Sequence, residues 1–194
     1  MKFIKNYLSE LKLTVDNLDI KIILKIINLI KIVQKKKSRI FFIGVGGSAS
    51  NCSHAVNDFR KLAGIECYTP TDNVSELTAR TNDEGWATVF ESWLKISKLN
   101  KNDLVFVMSV GGGDAARNVS VNIINALNFA KKKKAKICSI TGTHGGYAGK
   151  ISNVCLKVPV INQKNLTPLS ESFQAIIWHL IVSYPEIQKF KTKW

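Results

Sequence analysis

The sequence is short of acidic residues, prolines and cysteines, and these shortages exclude several classes of protein. Its 194 residues include 14 aspartates and glutamates against 28 lysines and arginines, with four prolines and four cysteines. The cysteines form no C-x-x-C pair, so nothing indicates a disulfide framework, and a reducing cytoplasm is expected. Cys138 and Cys155 stand inside apolar runs and are expected to be buried thiols.

The chain also lacks an apolar run that could cross a bilayer. The most apolar stretch, 20–33, is interrupted by three lysines, whereas a membrane-spanning helix needs about 20 mostly apolar residues. The net charge of +14 would suit nucleic acid or a membrane surface. The lysines are spread through the chain, however, and no aromatic residues interleave with the densest run, 131–134. We therefore expect neither a nucleic-acid nor a membrane partner.

What the sequence does contain is three apolar segments that each end in a glycine-rich turn before a helical pattern. They are 40–43, 104–109 and 137–141, and the first turn holds Gly44, Gly46, Gly47 and Ser48. Glycines let the backbone approach a ligand closely, and free N–H groups at a helix start beside a serine hydroxyl suit a phosphate. No Lys-Ser/Thr follows the glycines, so the first turn is not a P-loop, and it is a poor dinucleotide fingerprint. Tight turns without a ligand remain the alternative.

Strand and helix patterns alternate along the chain. Strands are predicted at 40–44, 66–69, 104–109, 136–141 and 154–158, and helices at 49–62, 73–80, 84–98, 115–132 and 169–183. This alternation predicts an α/β fold, a three-layer sandwich with a five-stranded parallel sheet. We expect one domain, 1–194, with N-terminal helices in 1–37 and the α/β core in 38–194. Ligands of such sheets bind at the carboxyl ends of the strands.

The N-terminal extension, 8–36, is predicted to be helical with a break near 14–17. Its second half is apolar around most of the helix circumference. Such a helix must be buried on two sides. One side can pack on the sheet, and the other is expected to contact another subunit. Binding to a membrane surface is the competing interpretation.

Four polar side chains lie in helical segments and could bind a divalent metal: His54, Asp58, Glu171 and His179. His54 and Asp58 are four residues apart and share one helix face. Glu171 and His179 are eight residues apart, which is about 12 Å along a helix. Either the helix start deviates, or these two serve different copies of the site. A core histidine with a backbone partner and a plain helix-start acid are the structural alternatives.

These residues resemble the sugar isomerase (SIS) domain family over nearly the whole chain, and within it the phosphoheptose isomerases. That group interconverts sedoheptulose 7-phosphate and D-glycero-D-manno-heptose 7-phosphate. Its glycine-serine loop falls on 44–48, its His-x-x-x-Glu pair on His54 and Asp58, and its second serine loop on 109–114. Its late Gln and His fall on Glu171 and His179. Its Asn-Asp pair falls on Asn82 and Asp83, which a turn with a cap would also explain.

The resemblance implies a homotetramer with active sites at subunit interfaces, and a divalent metal, zinc in several members. The implied metal ligands are His54, Asp58, Glu171 and His179. The implied substrate-binding residues are Val45, Gly46, Gly47, Ser48, Asp58, Asn82, Asp83, Ser109, Val110, Gly111, Asp114 and Glu171. The implied reaction passes through an enediol, with Asp58 as the base and His179 as the acid. It would serve nucleotide-activated heptose biosynthesis for surface polysaccharide.

Several positions depart from the family pattern. Val45 replaces Asn, Asp58 replaces Glu and Glu171 replaces Gln. The second loop loses hydroxyls at Val110 and Gly111 and gains the carboxylate of Asp114. A carboxylate beside a phosphate is unfavourable unless a cation such as Arg117 compensates. Isomerisation of another sugar phosphate, or sugar-phosphate binding without catalysis, therefore remain alternatives.

Overall fold

A five-stranded sheet lies at the centre of the computed structural model, which describes residues 1–192; residues 193 and 194, the end of the expected domain, lie outside the described part. The strands are β1 (Arg39–Ile43), β2 (Glu66–Tyr68), β3 (Leu104–Ser109), β4 (Lys136–Thr141) and β5 (Val154–Lys157). They run in the order β2-β1-β3-β4-β5, and every neighbouring pair is parallel. The predicted parallel sheet is confirmed, with each strand's bounds within one residue of the prediction.

Helices cover both faces of the sheet. They are α1 (Lys2–Asp16), α2 (Ile20–Lys35), α3 (Gly47–Lys61), α4 (Val74–Glu84), α5 (Val89–Ile96), α6 (Val121–Lys132), α7 (Gly146–Ile151) and α8 (Leu166–Val182). Alternate strand residues point to opposite faces. Phe42 packs with α2, α3 and α8 on one side, and Phe41 with α5, α6 and α7 on the other. The predicted three-layer sandwich is therefore confirmed.

The connections from β1 place a topological switch point between β1 and β3. β2 lies on one side of β1, and β3 lies on its other side. The chain therefore crosses the sheet in opposite directions after β1 and after β2. Ile43 is level with Val107, so the turns after the two strands start next to each other. Ligands of open parallel sheets bind at such a switch point.

Short turns interrupt two of the predicted helices, whose bounds were wrong for that reason. The segment predicted as one helix, 84–98, is divided at Gly85, whose φ of 82° ends α4 before α5 begins. The helix predicted from residue 115 begins only at Val121. In the intervening turn, the carboxylate of Asp114 accepts hydrogen bonds from the N–H groups of Ala116 (3.0 Å) and Arg117 (3.2 Å). A carboxylate that bonds the next backbone amides favours a turn over a helix.

The N-terminal helices bury one face and leave the other exposed. In α2, Ile23, Ile26, Ile27, Ile30 and Val33 are buried in the core. Single apolar side chains remain exposed on the two helices, interspersed with lysines, at Phe3, Ile4, Leu8, Leu13, Val15, Ile20, Leu24 and Ile32. The break between them falls slightly later than predicted, where Asp19 accepts a hydrogen bond from the N–H group of Ile22. In the described part of the chain, no helix combines the length and the apolar character needed to cross a membrane.

The four cysteine thiols are free. Cys52, Cys67 and Cys138 are buried, and burial raises the pKa of each thiol above its usual value. The prediction of a buried thiol is confirmed for Cys138. It was wrong for Cys155, which is only partly buried because β5 is an edge strand.

An ion pair joins the amino ends of β1 and β3. Asp103 accepts hydrogen bonds from the guanidinium Nη2 (2.7 Å) and Nε (3.2 Å) of Arg39, and from the N–H group of Asn100 (3.0 Å). The hydrogen bonds from Arg39 raise the pKa of its guanidinium. The side chain of Asp103 is only 3% exposed and that of Arg39 is 23% exposed, so loss of Asp103 would leave a largely buried guanidinium without its carboxylate.

We predict that Asp103→Ala lowers the free energy of unfolding by about 3 kcal/mol, the lower end for a broken buried pair, because Arg39 is partly exposed. Urea unfolding followed by circular dichroism measures the loss. Glu186→Ala is the control, because it breaks the exposed pair of Glu186 with Lys31 and should cost less than about 1 kcal/mol. Equal losses of unfolding free energy in the two variants would contradict the assignment of a buried ion pair to Arg39 and Asp103.

Candidate active site

The turn after β1 is built around glycines that the chain geometry requires. Gly46 has a φ of +63° and precedes the first residue of α3. A Cβ atom added at Gly44 would lie 2.6 Å from the carbonyl oxygen of Ser48. The tight strand-to-helix turn predicted from the sequence is therefore present. It directs the N–H groups of the first turn of α3 out of the helix end.

The carboxylate of Glu171 lies directly on this turn. A Cβ atom added at Gly47 would lie 2.5 Å from Oε2 and 2.8 Å from Oε1 of Glu171. A methyl group at position 47 would therefore require the end of the Glu171 side chain from α8 to rotate away. A carboxylate at the N-terminus of a helix is stabilised by the helix dipole. The expected anion-binding end of α3 thus already faces a negative group of the same chain.

Farther along α3 and α8, three possible metal ligands come together. Asp58 Oδ2 lies 4.0 Å from His54 Nε2 and 3.9 Å from His179 Nε2. One ligand atom from each residue lies within 4.8 Å of the other two. We call His54, Asp58 and His179 the His/Asp cluster. Of the four expected ligands, Glu171 alone lies apart from the cluster, on Gly47.

Neighbouring groups orient the side chains of the His/Asp cluster. His179 Nδ1 lies 2.8 Å from the carbonyl oxygen of Ala175, and a carbonyl only accepts. Nδ1 therefore carries a proton, which leaves Nε2 of the neutral ring to bind a metal. Asn57 Nδ2 donates to Asp58 Oδ1 (2.8 Å) and keeps Oδ2 towards the histidines. The fully buried Trp178 meets the His54 ring edge to face, at 4.7 Å between centroids.

A cavity of about 460 Å³ opens beside the cluster. Its walls are His54, Asn57, Asp58, Lys61, Leu62, His179, Val182, Ser183 and Thr192. Asn82 and Asp83 do not line it. They lie exposed in the last turn of α4, where Asn82 donates to Asp83 (2.8 Å), so the alternative of a turn with a cap was wrong. Sequence reasoning missed Asn57 and Lys61, although both lie within one turn of Asp58 on α3.

The loop after β3 is held by its own backbone. Ser109 Oγ accepts a hydrogen bond from the N–H group of Gly112 (3.0 Å) and is buried. The carbonyl oxygens of Gly113 and Gly112 accept from the N–H groups of Tyr147 (2.9 Å) and Ala148 (2.8 Å) at the start of α7. The third glycine turn therefore supports the second one.

Asp114 is engaged within the same loop. Besides accepting hydrogen bonds from the amides of Ala116 and Arg117, the Asp114 carboxylate lies 3.6 Å from Nε of Arg117. Its backbone forms an antiparallel bridge with Val119. The cation expected to compensate its charge is therefore nearby. Val45, Ser48 and Val110 lie in the two adjacent turns after β1 and β3, and Gly111 is exposed in the second.

Comparisons with known proteins agree with this architecture. No protein-family model matches the chain. The chain is 31% identical over 155 residues to a phosphoheptose isomerase of Aliarcobacter butzleri, across 76% of this chain and 75% of that protein. It is 32% identical over 148 residues, 71% of its length, to the lincomycin biosynthesis protein LmbN of Streptomyces lincolnensis, and spans 52% of that relative.

Solved structures show the same fold. Phosphoheptose isomerase GmhA from Neisseria gonorrhoeae matches with a TM-score of 0.81 and 19% identity, over 93% of this chain and 96% of that one. The fold and the sequence relatives together define a sugar isomerase of the SIS type. The chain belongs to the phosphoheptose isomerase group of that family and is an enzyme of the aldose–ketose isomerase class.

We predict that Gly47→Ala costs less than core overpacking usually does, about 1–3 kcal/mol, because the new methyl group meets only the end of the flexible Glu171 side chain, which can rotate away. In a Glu171→Ala background the same change should be neutral or slightly stabilising, since alanine is the better helix former. Denaturant unfolding of the four proteins in this cycle measures the coupling.

The control is Gly111→Ala, where an added Cβ meets nothing within 4 Å. A cost at Gly47 that persists without the Glu171 carboxylate would show that the contact does not restrict this position.

Proposed function

We propose that this enzyme interconverts sedoheptulose 7-phosphate and D-glycero-D-manno-heptose 7-phosphate in nucleotide-activated heptose biosynthesis for surface polysaccharide. The observation that carries the proposal is the His/Asp cluster, which stands beside an open cavity in a chain of this family. The free thiols of all four cysteines support the cytoplasm as its compartment. The whole chain is taken as one SIS domain.

Asp58 is the proposed base. Its side chain is 16% exposed, so it is accessible from the cavity but largely shielded from bulk water. A carboxylate within reach of both C1 and C2 can remove a proton from one carbon and return it to the other through an enediol. The Nδ1 proton of His179 is held by Ala175, so His179 can take up and return a proton at the carbonyl or ring oxygen only through Nε2, in the site without a metal.

The cluster fits a divalent metal, because two imidazole nitrogens and one carboxylate oxygen are common zinc donors. His54, Asp58 and His179 would hold the metal, and zinc is proposed from the resemblance. When bound, it would supply Lewis-acid polarisation of the substrate carbonyl. Glu171 is kept as a substrate-binding residue at Gly47, with a ligand role to another copy's metal as the alternative.

The phosphate is assigned to the glycine turns and their serines. Ser109 Oγ accepts from Gly112 but keeps its own proton, which a phosphate oxygen could accept. Ser48 stands in the first turn of α3. Another ketose phosphate is the second candidate substrate. The Glu171 carboxylate on Gly47 favours it, since the family pattern has an uncharged Gln at that position.

A homotetramer with sites at subunit interfaces is proposed from the family resemblance and from the exposed apolar side chains of α1 and α2. Exposed apolar residues are common at interaction sites. Leu8 on α1 and Leu24 on α2 are two of these exposed side chains. The described chain contains no other element that covers them.

We predict that Asp58→Asn keeps the fold but lowers turnover of sedoheptulose 7-phosphate by roughly 10²-fold or more, the size of a general-base contribution. Asp58→Glu, which restores the family residue, should be the most active substitution here. Asp16→Asn on α1 is the matched control and should be fully active. Full activity of Asp58→Asn would assign the base elsewhere, and Glu171 would be examined next. Binding without turnover by the unchanged protein would favour a non-catalytic role.

We predict that Leu8→Asp combined with Leu24→Asp reduces the particle mass in multi-angle light scattering while the circular dichroism spectrum is unchanged. Two carboxylates cannot be buried in an apolar interface without a large desolvation cost. Ser9→Asp, at the neighbouring exposed position of α1, should leave the mass unaltered. An oligomer of unchanged size in the double variant would show that the interface lies elsewhere.

A further inference from the structure

A pair of amide side chains lies inside the contact between α3 and α8. Asn51 Nδ2 donates to the carbonyl oxygen of Glu171 (3.0 Å) and to Oε1 of Gln174 (3.2 Å). Gln174 is fully buried, and within residues 1–192 its Nε2 has no hydrogen-bond partner. A buried donor without a partner is unfavourable, and an apolar side chain would avoid that cost. Packing alone therefore does not explain a glutamine at this position.

The amide pair belongs to the same row of contacts as the His/Asp cluster. Asn51 meets Gln174, and one turn later His54 meets Trp178, with ring centroids 4.7 Å apart. Asp58 then meets His179 at 3.9 Å. The contacts thus follow the same order along the two helices. The amide pair lies between the contact of Glu171 with Gly47 and the His/Asp cluster.

The His/Asp cluster forms only if α8 is in register with α3 to within a fraction of a helical turn. A slip of one residue shifts a helix by about 1.5 Å and turns it by about 100°, which would separate His179 Nε2 from Asp58 Oδ2. The remaining contacts of α8 with the core, through Phe173, Ile177 and Ile181, are apolar. Apolar contacts are not directional, whereas hydrogen bonds have narrow limits on distance and angle.

We propose that Asn51 and Gln174 are positioning residues that fix the register of α8 on α3 and so place His179 against His54 and Asp58. The inference deepens the proposed function and rests on it for the role of the cluster. Single buried polar residues that select one register at some cost in stability are known from coiled coils. The bond to the Glu171 carbonyl fixes the preceding turn of α8 in the same way, which keeps the Glu171 carboxylate on Gly47.

The test replaces both amides by apolar groups, Asn51→Leu with Gln174→Leu. Replacing both partners removes the unpaired donor, so the melting temperature should be equal or higher. The zinc affinity measured by calorimetry should nevertheless fall by about 10- to 100-fold, the usual effect of disturbing groups that orient metal ligands. The nuclear Overhauser contact between the rings of His54 and Trp178 should weaken or disappear.

The chain offers a matched control and a rescue. Asn122 on α6 is also fully buried with an unpaired Nδ2, but it packs on the other face of the sheet. Asn122→Leu should leave the zinc affinity and the ring contact unchanged. The swapped pair, Asn51→Gln with Gln174→Asn, should restore both. If the double leucine variant does not fold, Gln174→Met takes its place.

Unchanged zinc affinity together with an unchanged His54–Trp178 contact in the apolar variant would overturn the proposal. If the unaltered protein binds no zinc, the metal assignment fails, and the ring contact alone decides the positioning role. Loss of that contact in the apolar variant then supports the proposal, and its retention overturns it. The ring contact requires neither metal nor substrate, so failure of the proposed function is distinguishable from failure of this inference.

Discussion

The contact between α3 and α8 is the constraint on which the site depends. It carries all three members of the His/Asp cluster, the buried Trp178 against which His54 rests, and the Glu171 carboxylate on Gly47. No single helix could assemble this set, because side chains far apart on one helix cannot reach one point. The two helices lie on the same face of the sheet, and their relative register therefore decides whether the site exists.

The sheet supplies the other half of the arrangement. The opposite crossovers from β1 bring the turns after β1 and β3 next to each other. The first turn begins α3, so the same helix that carries His54 and Asp58 also starts at the glycine turn. The second turn is held by amides at the start of α7. The turns that would bind a phosphate and the cluster that would meet a carbonyl are thus held by one set of connected elements. His179, the cluster member on α8, is exposed.

The sequence predicted the sheet well because the three central strands, β1, β3 and β4, are largely apolar runs that both faces of a parallel sheet bury. It also predicted His54 and Asp58 as neighbours, since residues four apart share a helix face. It did not predict the turn before α6, where the Asp114 carboxylate competes with the helix for backbone amides. The contact of the Glu171 carboxylate with Gly47 and the hydrogen bond between Asn51 and Gln174 depend on how α3 and α8 pack together, which a sequence pattern does not show. A glutamine inside the apolar run 173–182 was the one signal for that pairing.

The most direct test of the account is proton nuclear magnetic resonance of sedoheptulose 7-phosphate incubated with the zinc-loaded enzyme in deuterium oxide. An enediol route predicts that the aldose 7-phosphate appears and that deuterium from the solvent enters C2 of the aldose and C1 of the ketose. Saturating substrate that binds but shows neither product nor exchanged hydrogen would contradict the assignment of isomerase chemistry to the His/Asp cluster.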